Sequence, residues 1–145
     1  MKIAAHIVRK AIFDELNNNI TFNGQAVGVF NKVPHNVSYP FIKIYGDSEK
    51  SDFKNQSSYI TEIITKIEVV TKFKGDAGGE LHSQQIMDDV LQLINGTTPN
   101  TASLTTDSFN NYITDVKDIV FLEDYAKDNT YYRAIASVIT QTEQI

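Results

Sequence analysis

The feature that most constrains this chain is the run from Tyr59 to Phe73, which is long, alternating and rich in β-branched residues. Ile63, Thr65, Ile67, Val69 and Thr71 fall on one face of an extended segment, and Glu62, Lys66 and Glu68 fall on the other. One-sided patterning of this kind predicts an antiparallel sheet, with one face packed under helices and the other wet or covered by another subunit. Ile64 and Val70 sit among the polar positions, which points to cover by a second subunit.

Two amphipathic helices flank this strand in sequence. Ile3, Ala4, Ile7, Val8, Ala11, Ile12 and Leu16 recur at helical spacing, and Asn17, Asn18 and Asn19 can end that helix because Asn tolerates the left-handed conformation. Gly75-Asp76-Ala77-Gly78-Gly79 breaks the long strand; Leu81, Ile86, Met87, Val90, Leu91 and Ile94 then follow helical spacing until Asn95-Gly96. Further strands are predicted over Gln25 to Phe30, Phe41 to Tyr45, Tyr112 to Leu122 and Thr130 to Thr142. The connections are a polar loop from Asn31 to Tyr39 containing Pro34, a charged loop from Gly46 to Ser58, and a turn from Glu123 to Asn129. This order gives an α+β fold: an antiparallel β-sheet with two α-helices packed on one face and a C-terminal β-hairpin, as a single domain over residues 1–145.

Composition narrows the function. The chain of 145 residues has 41% hydrophobic and 21% charged residues, which suits one ordinary globular core. It contains no cysteine, so disulfides, thiolate metal sites and thiol nucleophiles are excluded. A formal charge of -5 argues against a general nucleic-acid surface, which needs clustered Lys and Arg to displace counterions. His6, Arg9 and Lys10 interrupt the opening apolar run before a signal-peptide core forms, and no stretch reaches transmembrane length, so a cytoplasmic site of synthesis and no membrane association are expected.

Tests for chemistry return little. The Gly75 to Gly79 loop precedes a helix N-terminus, the setting in which backbone amides cradle phosphate, and it motivates an alternative reading as a small-ligand-binding or enzymatic α+β domain. Its spacing nevertheless fits neither a P-loop nor a dinucleotide fingerprint. His6, His35 and His82 are scattered and lack metal-ligand spacing. Glu123-Asp124 are neighbours in a predicted turn and do not form an acid/base pair. No catalytic residue, metal or cofactor is expected. The C-terminal third is acidic, and Glu123, Asp124 and Asp128 are the candidates for a hairpin facing a channel through which DNA passes without sticking.

The element order then carries a resemblance. The N-terminal helix, Tyr39-Pro40-Phe41-Ile42-Lys43-Ile44 opening a strand, and the long strand from Thr61 to Thr71 running into Asp76-Ala77-Gly78-Gly79 and the helix with Ile86, Asp89 and Val90 all contribute to it. So does the final hairpin, whose return strand begins near Tyr131-Tyr132-Arg133. In this order the chain resembles the tail completion, or tail terminator, proteins of long-tailed bacteriophages. The resemblance implies a non-enzymatic virion protein of the tail or neck, assembled in the host cytoplasm. It further implies a homo-oligomeric ring, usually a hexamer with a dodecamer as the other copy number, whose partners are the tail-tube protein and head-tail connector proteins. A head-to-tail ring needs two complementary patches. Ile64 and Val70 on the long strand, Pro34 and His35 in one loop, and Asp52 and Phe53 in the other are the candidate interface residues.

Overall fold

The computed structural model describes residues 2–52, 59–75, 77–95 and 109–144. In chain order the elements are α1 (Ala5–Leu16), β1 (Thr21–Phe22), β2 (Gln25–Ala26), β3 (Gly28–Phe30), β4 (Phe41–Asp52), β5 (Ile60–Lys74), α2 (Leu81–Asn95), β6 (Phe109–Ala126) and β7 (Asn129–Gln144). β3, β4, β5, β7 and β6 lie side by side in that order, antiparallel throughout except for the short parallel pair β3–β4. The expected α+β class and the C-terminal hairpin are both present.

β5 is the centre of the sheet and shows why the pattern read as it did. Thr61, Ile63, Thr65, Ile67 and Val69 are buried, while the residues between them, Glu62, Ile64, Lys66 and Glu68, are half-exposed. The buried face meets Val8, Ile12 and Leu16 of α1 and Ile86, Val90 and Ile94 of α2, joined by Ile42 and Ile44 of β4 and Ala134, Ala136 and Val138 of β7. Both helices therefore cover one face of the sheet, called the inner face below. Small residues on β7 let the helices approach the sheet closely.

α1 begins without a cap of its own, because Ala4 offers no side-chain acceptor. Glu49 of β4 supplies it: its carboxylate accepts the backbone N–H groups of Ala4 at 3.0 Å and Ala5 at 3.0 Å. A negative charge at this end is also favoured by the helix dipole.

Three expectations need correction. The charged segment after Tyr45 is strand up to Asp52, not loop, with Ser48 to Asp52 paired to Ile64 to Ile60 across a bulge at Asp47. Its polar residues are tolerated because the outer face is open and because Glu49 is employed as the helix cap. Second, Gln25 to Phe30 is not one strand. Asn23 and Gly24, both at positive φ (53° and 77°), turn Gln25–Ala26 back onto Thr21–Phe22, and only Gly28–Phe30 joins the large sheet. Third, the hairpin turn is two residues, Lys127 and Asp128, at φ 52° and 64°, so β6 runs on through Glu123 and Asp124 to Ala126. The turn is anchored to the end of β5: Gly75 donates its N–H to the Asp128 carbonyl at 2.7 Å, and the Thr130 hydroxyl donates to the Gly75 carbonyl at 2.6 Å.

Candidate interaction surface

Among the described residues no helix lies on the outer face of the sheet, and that face divides along the strands into two regions. At one end Val70 lies between Phe41 and Arg133 in register and is fully buried. Aromatic rings gather there: Tyr39 lies 5.2 Å from Phe41 and 5.8 Å from Tyr131, and Phe30 lies 6.4 Å from Phe41. The cover that Val70 was expected to take from a second subunit thus comes from its own chain, and no part of it is left exposed for a partner.

Farther along, Ile64 is opposite Ser48 on one side and Ile139 on the other, with Ile64 and Ile139 both half-exposed. Ile135, also half-exposed, is opposite Val120 of β6. Ile64 and Ile139 thus place apolar side chains side by side and half-exposed on the outer face.

Arg133 ties this face together. Its guanidinium donates to Glu68 and to Asp124, each at 2.9 Å. Burial works against its charge, but the hydrogen bond and charge of Asp124, with those of Glu68, raise its pKa above the ordinary value.

The other candidates are dispersed. Pro34 and His35 are exposed in the loop before β4, where Pro34 helps line a cavity of about 350 Å³ with Phe22, Val27, Phe30 and Tyr39. That loop leads into the Phe41–Val70 row, six β5 positions from Ile64, or about 20 Å at the usual rise per residue. Asp52 is the last residue of β4 and is described only by its backbone; Phe53 lies outside the described residues.

The acidic trio does not share a face. Asp124 points outward to Arg133. Glu123 falls on the inner side opposite Tyr132, whose phenol pKa is raised by desolvation and then by the charge of Glu123 and the hydrogen bond to it. Asp128 is in the turn, where its carboxylate accepts the Tyr125 hydroxyl at 3.4 Å.

The glycine loop has a structural account. A Cβ on Gly78, at φ 103°, would fall 2.3 Å from the Phe73 ring. His82 packs against Phe73 and Phe22, with ring centroids 5.3 and 5.0 Å away. His6 and His35 are exposed on α1 and on the loop before β4. The described residues contain no group of three or more His, Asp or Glu placed to hold a metal ion.

What sequence reasoning missed is the exposed apolar run of β6. Val120 (46% exposed), Phe121 (44%), Leu122 (45%) and Tyr125 (64%) stand in water on both faces of the outermost strand. The signal was present: Ile119-Val120-Phe121-Leu122 is the longest unbroken apolar run of the predicted hairpin, and such a run reads as a strand buried on both faces.

Together these features define an α+β domain with a helix-covered inner face, an open outer face and a long apolar edge. No family model and no curated protein matches the sequence. Among solved structures, the fold is similar to that of a chain in the virion of a native gene transfer agent (GTA) particle. The TM-score is 0.69 at 14% identity, and the match covers 99% of each chain.

Proposed function

We propose that this chain is a non-enzymatic structural virion protein that forms a ring at the end of a phage tail tube or at the head-tail junction, terminating tail assembly and joining tail to head. The observation that carries the reading is the end-to-end likeness to a chain of a GTA virion, with a TM-score of 0.69 over 99% of both chains. The tail-terminator resemblance of the sequence supports the finer assignment. So does the surface: the apolar patch around Ile64 and Ile139 and the exposed loop with Pro34 and His35 are separate and dissimilar, as the two halves of a head-to-tail contact must be. Tail-tube and connector proteins are the proposed partners, and DNA passes through the ring without specific binding.

Light scattering and negative-stain microscopy of the purified protein, alone and mixed with tail-tube protein, test this. Rings are expected alone or on tube ends, and a strict monomer in both samples overturns the proposal. The acidic hairpin is tested separately with Asp128→Lys, which leaves Glu123 and the Arg133–Asp124 pair intact. DNA retention or slowed ejection is expected; unchanged ejection removes the channel role.

A further inference from the structure

We infer that the outer edge of β6 is a two-fold docking surface for β6 of a second copy of this chain. Among the described residues β6 is an edge strand of 18 residues, and no strand pairs with its outer side. Soluble proteins protect such edges with charges, prolines, bulges or cover, because unpaired N–H and C=O groups invite another strand. Here protection is confined to the ends of the exposed stretch: a bulge at Lys117 beside Asp118, and Glu123-Asp124. Ile119 to Leu122 between them has none. Its side chains are exposed on both faces, Ile119 and Phe121 inward and Val120 and Leu122 outward, so cover on one face alone leaves half of the apolar surface wet. Strand addition extends the sheet and brings neighbours to both faces at once.

Charge complementarity identifies the occupant as the same strand. Antiparallel partners must share a face, so a two-fold axis passes through a residue and not between two. Centred on Phe121, the pairing sets Asp118 against Asp124, and centred on Ile119 or on Leu122 it brings no opposite charges together within the strand. Centred on Val120, it opposes no like charges. It sets Lys117 against Glu123 twice, Ile119 against Phe121 twice, and Val120 against itself. Counting back from Asp118, Lys117 falls on the same inner face as Glu123. The contact is independent of the ring, since it uses neither the Ile64 patch nor the loop with Pro34 and His35.

The cysteine-free chain makes the test direct. Residues facing each other across antiparallel strands have Cα atoms about 4.5–5.5 Å apart, within disulfide range. Val120→Cys is expected to form a disulfide-linked dimer under mild oxidation, and at least about tenfold faster than Leu122→Cys, which faces Asp118 instead of itself. In sedimentation experiments, Lys117→Glu and Glu123→Lys should each weaken the dimer about tenfold, whereas an equimolar mixture of the two should recover it as a heterodimer. Melting temperatures equal to that of the unaltered chain confirm that each variant folds. A monomer at about 0.1 mM overturns the inference, as does equal cross-linking at positions 120 and 122. Preferential cross-linking of Val120→Cys to Ser48→Cys, on the open stretch of β4, also overturns it by assigning β6 a different edge.

Discussion

β5 and the far half of β6 are both long extended segments rich in apolar residues, and the sheet treats them oppositely. β5 sits in the middle, keeps period two, and sends Ile63, Ile67 and Val69 into a core closed by two helices. β6 lies at the edge, abandons period two over Ile119 to Leu122, and leaves those residues in water. The difference teaches that hydrophobicity alone does not place a strand inside. Alternation tells a strand which face to bury, and a strand apolar on both faces needs more cover than one helix layer provides.

Truncations should expose the contrast. Ile67→Ala removes buried atoms from the centre of the core and is expected to cost about 3 kcal/mol in chemical denaturation; a loss below about 1 kcal/mol would mean that the β5 core is looser than described. Gly78→Ala probes where β5 hands over to α2. Positive φ and the Phe73 ring both oppose a Cβ there, and a loss of about 2 kcal/mol in the same assay is expected. Glu49→Ala uncaps α1 and should cost about 1 kcal/mol, with a matching loss of amide-exchange protection in the first turn of that helix. Phe121→Ser, on the exposed edge, should change monomer stability by less than about 0.5 kcal/mol. A large destabilisation there would show that β6 is already covered within the chain and would dissolve the comparison.

The parts legible in sequence are those where one periodicity acts alone. Both helices and β5 are of this kind, since each has one face in a single core. β4 past Gly46 was not legible, because Ser48, Glu49, Lys50 and Ser51 look like loop residues until their neighbours are known: β5 supplies the ladder and α1 requires the Glu49 carboxylate. The parallel β3–β4 pair was hidden for a related reason, since three residues are too few to show a period. At the surface, Ile64 was recognisable as an apolar residue out of place. Val70 looked the same and is not, because the rings of Tyr39, Phe41 and Tyr131 gather from separate strands and a loop, and no local pattern reports that meeting. The exposed edge was hidden because edge position belongs to the whole sheet order.

The anchoring of the hairpin turn to Gly75 has a mechanical consequence. β7 is in register with β5 from Lys74 to Ile60 and with β6 from Ala126 to Phe109, and the turn is clamped to the end of β5 by two short bonds. A pull on the hairpin along the strands therefore loads the long β5–β7 ladder in shear, many bonds at once, and does not peel it bond by bond. With no slack at the tip, the arm moves as a stiff lever fixed to the central strand, and force applied at Asp128 is delivered to the core.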